Sequence, residues 1–175
     1  MTGENTILGP LEPAGGHWAL GDATRPDTHW VELRPDGLRQ HGPDSGGRLV
    51  PWHRIMTGVS ITWGKHAWST NGRGAYTLRG MVAGRDGGWL RMTLRHPYED
   101  DRLRFDQHAR PYRAVDVLRL EHLLRQLVDE GRPQLLGDPR WVARAVAHLA
   151  GGRNSWLTSG ALRGAAAEAV AAAGS

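Results

Sequence analysis

Between about residues 30 and 105, apolar side chains return at every second position, and one strongly amphipathic helical pattern follows at residues 116–130. A period of two is the mark of half-buried strands, and a 3.6-residue stripe that of a helix laid on a core. A β-rich run closed by a single helix restricts the chain to a small set of folds, most of whose members bind rather than catalyse.

The strand pattern can be followed turn by turn. His17 to Leu20 reads as a possible short strand within a Pro- and Gly-rich lead-in. Trp30, Val31, Glu32 and Leu33 alternate into the turn signal Arg34-Pro35-Asp36-Gly37, and residues 38–41 return. Residues 43–47 read as a second loop. Thr57, Val59, Ile61 and Trp63 share one face, with Gly58, Ser60 and Thr62 on the other. Tyr76, Leu78 and Val82 repeat the pattern. Leu90, Met92 and Leu94 then oppose Arg91, Thr93 and Arg95, with residues 84–88 as the hairpin between these two runs. Glu99-Asp100-Asp101 reads as an acidic turn before a last strand holding Leu103 and Phe105.

The helix at 116–130 carries Val117, Leu120, Leu123, Leu124, Leu127 and Val128 on one stripe and places Arg119 on the polar face. Asp116 is the expected N-cap, Glu121 and Arg125 are four apart, and Gly131 with Pro133 ends the helix. A second helix spans 139–150, capped by Asp138, opened by Pro139 and stopped by Gly151. Trp141, Val142, Ala145, Val146 and Leu149 face inward on it. Ser159 is positioned to cap a third helix running to residue 173, whose face is mainly Ala; a frayed tail is the alternative.

Composition narrows the chemistry. There is no Cys, which removes disulfides, thiolate zinc sites and Cys nucleophiles. No basic, apolar leader opens the chain and no stretch is long enough to span a bilayer, so a soluble cytoplasmic protein is expected. The basic residues are twenty-one Arg and one Lys, Lys65, but net charge is only +4, which does not by itself argue for nucleic acid. Their distribution says more: residues 1–47 carry a net −4, 48–95 a net +7, 96–138 a net −2 and 139–175 a net +3.

No catalytic constellation is visible. Ser155 and Ser159 lack a Gly-x-Ser-x-Gly elbow, and the Gly-rich segments are not followed by helices that could cradle phosphate. No two of the nine His lie three to five apart, so the usual zinc spacings are missing and neither metal nor cofactor is expected. His96, Asp101 and His108 come nearest to a ligand set, and a site assembled from distant strands stays open. His17, His29, His41 and His53 recur every twelve residues without further alignment of their neighbours.

Trp30 to Leu33 with Asp36-Gly37-Leu38, then Leu49-Val50-Pro51-Trp52-His53-Arg54-Ile55, resemble the opening hairpin and third strand of bacterial pleckstrin-homology-like (PH-like) domains. The helix at 116–130 sits where that family places its closing helix, and the resemblance covers about residues 17–131. It implies an α+β chain, mainly β with C-terminal helices. The barrel would be bent and partly open, of six or seven antiparallel strands, with the helix plugging one end and loops at the other forming a binding rim. The organisation expected is a lead-in at 1–16, the PH-like unit at 17–131 and a helical extension at 132–175. Lipid-binding members use basic residues in the first hairpin loop; here that loop holds one base and one acid, Arg34 and Asp36, so phosphoinositide binding is not expected.

The segment between residues 63 and 74 is too long for a tight hairpin and holds Lys65, His66, Trp68 and Arg73 among flexible glycines. Loops carry binding functions more often than strands do, and aromatics beside cations suit an acidic or aromatic partner. With Arg79, Arg91 and Arg95 on flanking strands, these residues define the expected binding surface of a non-catalytic adaptor for an acidic protein partner. A second reading is a small-molecule binder or small enzyme whose pocket is lined by Trp52, Trp63, Trp68 and Trp89, with His53 or His66 as acid or base. Single-stranded nucleic acid on a Trp/Arg platform is a third and less favoured reading. Nothing in the sequence sets the oligomeric state.

Overall fold

Two antiparallel sheets, each ending where the chain turns onto a new layer, organise the protein. The computed structural model describes residues 6–67, 80–82, 87–152 and 158–175, with only the strand assignment for Ser45 and Gly58. The expected contributions of Trp68, Arg73, Tyr76, Leu78, Arg79, Ser155 and the hairpin residues 84–86 therefore lie outside the described residues. β1 (Leu11–Ala14), β2 (His17–Leu20), β3 (Trp30–Arg34), β4 (Gly37–Gly42) and β5 (Ser45–Pro51) pair in chain order as one five-stranded sheet. Among the described residues, β6 (Ile55–Trp63), β7 (Gly88–Leu94) and β8 (Glu99–Phe105) pair in that order in a second antiparallel sheet. The chain is thus mixed α+β, as expected, but the described strands form two sheets and no closed barrel.

Several boundaries differ from expectation for local reasons. The lead-in holds a strand: Gly15 and Gly16, both at positive φ, make the two-residue turn joining β1 to β2, and Leu8 and Leu11 are fully buried. The β4–β5 connection needs only Pro43 and Asp44, so the expected loop at 43–47 is mostly strand. Residues 99–101 are likewise strand, because the turn from β7 lies at 95–98. Register shifts at Ile55/Thr57 and Thr57/Ser60 swing Thr57 out to solvent, while Val59, Ile61 and Trp63 stay in the core. The alternation on β7 holds throughout, with Leu90, Met92 and Leu94 buried between half-buried neighbours.

The two sheets are joined through side chains. Arg48 on β5 donates to both oxygens of Asp101 on β8 at 2.7 and 2.8 Å, and Gln40 on β4 donates to the Arg104 carbonyl at 3.2 Å. Across the molecule, α1 (Ala114–Asp129) covers β6. Glu121 accepts the Ile61 N–H at 2.8 Å, Arg125 donates to the Val59 carbonyl, and the two side chains pair at 3.0 Å. Trp63 meets Phe105 edge-on with ring centres 5.7 Å apart. Gly88, opposite Phe105, leaves the room that ring fills; a Cβ there would collide with it.

Leu120, Leu124 and Leu127 are buried as the stripe requires. Helix α1 nevertheless begins at Ala114 from an extended Arg113, which provides no side-chain cap, so Asp116 is a first-turn residue paired with Arg113 at 3.3 Å and not the N-cap. Helix α2 (Pro139–Gly151) matches expectation, with Asp138 accepting the N–H groups of Arg140 and Trp141. Helix α3 (Ser159–Gly174) is ordered rather than a frayed tail, and its cap is Thr158, which accepts the Ala161 N–H at 3.2 Å; Ser159 is the first helical residue. Leu162, Ala166, Ala169, Val170 and Ala173 pack it against α1 and α2. That third layer overturns the placing of Arg119 on a polar face: the residue is 3 % exposed and donates to the carbonyls of Leu149 and Gly152 at 3.0 and 3.1 Å. Among the described residues no helix is long and apolar enough to cross a membrane.

Candidate functional sites

Three places on this scaffold bring chemistry together, and each rests on a different piece of the topology. The first is the solvated face of β7 and β8. Residues directly opposite one another in an antiparallel pair share a face, so the registers Trp89↔Arg104, Arg91↔Arg102 and Thr93↔Asp100 make one surface. Half-buried Ser60 of β6 continues it, while Thr62, opposite Trp89, is buried. Arg104 is neutralised by Asp106 at 3.2 Å, and Asp100 accepts from Thr93. Arg91 and Arg102 stand directly opposite each other, their guanidiniums with no hydrogen bond or ion pair to a described residue, and the Arg102 Nε is buried without a partner. Trp89 donates its indole N–H to the Gly64 carbonyl at 2.9 Å, which holds the start of the expected binding loop, with exposed Lys65 and His66, at the end of this face.

Of the expected binding residues, Lys65, His66 and Arg91 therefore gather around this end of the second sheet. Arg95 does not. Its N–H donates to the Arg54 carbonyl at 2.8 Å and its guanidinium reaches the Ile55 carbonyl, so it leaves the sheet in the 95–98 turn. It lines instead a cleft of about 490 Å³ bounded by the β3–β4 turn, the short 3-10 turn Trp52–Arg54 and the end of α1. Asp36, Trp52, His53 and Gln134 also line this cleft. The four-Trp pocket does not form among the described residues. Trp52 is held at the cleft by its N–H to the Arg34 carbonyl, Trp63 is core, Trp89 is on the β7–β8 face, and Trp68 lies outside the described residues.

The third place is a buried polar centre that the sequence placed in a lead-in and a turn. Glu12 comes from β1, Asp22 from the β2–β3 loop and His108 from the segment before α1. One ligand atom from each lies within 4.8 Å of the others. His108 Nε2 is 2.8 Å from Glu12 Oε1, and Nδ1 is 2.6 Å from the Tyr112 hydroxyl, which also accepts the His108 backbone N–H at 2.7 Å. Asp22 accepts from the Thr24 N–H and hydroxyl and from Arg25, while Arg110 pairs with Glu12 and donates to the Gly9 carbonyl. Beside the centre, a cavity of about 340 Å³ is lined by Asp22, Arg25, Gly87, Asp106, Gln107 and His108. The expected grouping of His96, Asp101 and His108 does not form: His96 is exposed and Asp101 belongs to Arg48.

Electrostatics follow burial and partners. Burial pushes the Asp22 carboxyl up, but the Thr24 hydrogen bonds, His108 and Arg25 outweigh it and hold the group below the ordinary carboxylate value. Asp106 behaves alike, its burial outweighed by the His29 N–H and Arg104. Burial lowers the His108 imidazole against the opposing pull of Glu12, and pushes the Tyr112 hydroxyl up to about 12. A second His/carboxylate grouping lies on the five-stranded sheet, where Glu32 meets His41 at 2.8 Å and His17 at 3.8 Å.

Arg102, Glu12 and Asp22 carried no sequence signal, because what distinguishes them is cross-strand register or convergence of distant segments. Only His108 was singled out, with other neighbours. No protein-family model, curated protein or solved structure matches the chain.

Proposed function

We propose that this protein is a non-catalytic interaction module that engages an acidic partner surface through the β7–β8 face and the adjoining loop. One observation carries the reading: Arg91 and Arg102 are directly opposite, like-charged and without an ion pair among the described residues. Facing like charges destabilise a sheet unless an anion lies between or over them, and a partner carboxylate or phosphate would be such an anion, bound by the bidentate fork that Arg presents. Trp89 beside them and Lys65 at the loop add an aromatic contact and further charge. The order of elements, two antiparallel sheets followed by α1, supports reading the unit as PH-like with this face as its partner surface.

The test is fluorescence anisotropy with a labelled ten-residue Glu/Asp-rich peptide. Binding is expected at low ionic strength and should weaken as salt approaches physiological strength, where the screening length is about 8 Å. Arg91→Glu with Arg102→Glu should abolish it while circular dichroism stays unchanged. Unaltered binding by the double variant, or tighter binding of a single-stranded oligonucleotide than of the peptide, overturns the reading. A second reading has its own observation, the union of Trp52, His53, Arg95 and Asp36 in the 490 Å³ cleft. Its size suits a small zwitterionic ligand, and Arg95→Ala should affect such binding and not that of the peptide.

A further inference from the structure

We propose that Glu12, Asp22 and His108 form a binding site for a divalent transition-metal ion, with Zn²⁺ the best match to the donor set. None of the three residues lies on β7 or β8, so the inference stands apart from the basic face.

Three segments far apart in the chain deliver one nitrogen and two carboxylates to one point, with ligand atoms within 4.8 Å of one another. Ligands at about 2.0–2.2 Å from a tetrahedral ion are about 3.4 Å apart, so the widest donor pair has to close by roughly 1 Å or a little more, a movement within reach of side-chain rotation. A His with two carboxylates is a donor set suited to Zn²⁺ and its first-row neighbours, and too rich in nitrogen for Ca²⁺ or Mg²⁺.

The independent sign is His108. The residue is 8 % exposed, and its Nε2 lies 2.8 Å from Glu12 Oε1 but off the line of a well-aligned hydrogen bond, so its one polar contact is a carboxylate of the same cluster. A buried ring nitrogen in that condition calls for an explanation. It faces the two carboxylates while Tyr112 fixes the other side of the ring at Nδ1. Metal-bound imidazoles are held by this kind of contact at the far nitrogen.

One of the arginines already present is a displaceable counter-charge. Arg25, on Asp22 at 2.9 Å, has a side chain 54 % exposed, and Arg110, on Glu12 at 3.2 Å, one 29 % exposed. Arg110 is anchored on the Gly9 carbonyl, whereas the more exposed Arg25 can turn into water as a cation arrives. Because Asp22 and His108 also line the 340 Å³ cavity, an ion has a route in. Three protein donors leave room in the coordination shell for water from that cavity. The bound ion would tie β1, the β2–β3 loop and the segment before α1 together, so binding should stabilise the fold.

Zn²⁺ is titrated calorimetrically into chelator-stripped full-length protein, and long-range ¹H–¹⁵N spectra of the imidazoles are recorded on the same samples. One saturable site is expected, with the His108 ring nitrogens shifting and the melting temperature rising with added Zn²⁺. Asp22→Asn and His108→Ala should each weaken binding at least tenfold and remove the thermal shift, while His41→Ala leaves both intact. The wild-type spectra decide the matter even where a variant fails to fold. Absence of saturable binding, or imidazole shifts confined to His17 and His41, overturns the proposal.

Discussion

Replacing Arg119 by Ala tests how the helical layers are held to the rest of the chain. The guanidinium is 3 % exposed and caps the end of α2, one nitrogen on the Leu149 carbonyl at 3.0 Å and another on the Gly152 carbonyl at 3.1 Å. The last carbonyls of a helix have no partner within it, and a cation there also meets the negative end of the helix dipole. Hydrogen bonds to a charged group contribute about 1.5–3 kcal/mol each. The two share one side chain and are not additive, and truncation also leaves a void beside the buried Leu149 carbonyl. A loss of about 3–5 kcal/mol follows, or roughly 10 °C in melting temperature for a chain of this size. Urea denaturation followed by circular dichroism at 222 nm measures it, with an unchanged m-value showing that stability alone has moved. Arg132→Ala, which removes an exposed pair to Glu130 at 3.5 Å, should cost less than about 0.5 kcal/mol in the same assay. A loss below about 1 kcal/mol for Arg119→Ala would mean that the side chain reaches water and that the α2–α3 layer does not cover it.

Glu121→Ala should cost about 1–3 kcal/mol, because it leaves the Ile61 N–H of β6 without its acceptor; Glu121→Gln should recover most of this, and equal losses for the two variants would refute the role. Burial raises the Asp116 carboxyl above its ordinary 3.8, against Arg113, so the folded state holds this proton more tightly than the unfolded chain does. Its contribution to stability therefore falls as pH rises from 3.8 through the raised value and stays unfavourable above it. Asp116→Asn should be stabilised relative to wild type at neutral pH, with the difference shrinking as pH approaches 4; denaturation midpoints between pH 4 and 7 measure it, and a gain that grows in acid would contradict the sign.

What was legible in the sequence was what depends on near neighbours. The stripe through Leu120, Leu124 and Leu127, the alternation of β7 and the Asp138–Pro139 helix start are all written in spacings of two to four residues. The partition into two sheets was not, because it depends on which strand ends meet, and here Arg48 and Gln40 make that junction from β5 and β4. β1 was hidden by its length and by Pro13, though Leu8 and Leu11 are fully buried. The sequence offered α3 only as one of two readings, because an Ala face contrasts little with its surroundings, and no spacing signals that the end of α2 meets Arg119. The same holds at the candidate sites. Arg91 follows from alternation, whereas Arg102 needs the β7–β8 register and the Glu12–Asp22–His108 centre needs the whole fold.

The excess of Arg over Lys gains a physical meaning from where the guanidiniums go. Arg54 reaches the carbonyls of Arg95 and Pro97, Arg110 that of Gly9, Arg125 that of Val59, Arg119 those of Leu149 and Gly152, and Arg144 that of Ala173. In each case a forked donor ties the end or edge of one element to another. A Lys ammonium, a compact and more strongly hydrated charge, cannot match that planar fork. Much of the basic composition is thereby spent on internal carbonyls and on ion pairs such as Arg48–Asp101, which explains how a chain with twenty-one Arg need not bind polyanions over its whole surface. Against that background two half-buried guanidiniums face each other across β7 and β8 with no described side-chain partner, and a charge reversal confined to them separates recognition from the scaffold that the carbonyl-bound arginines maintain.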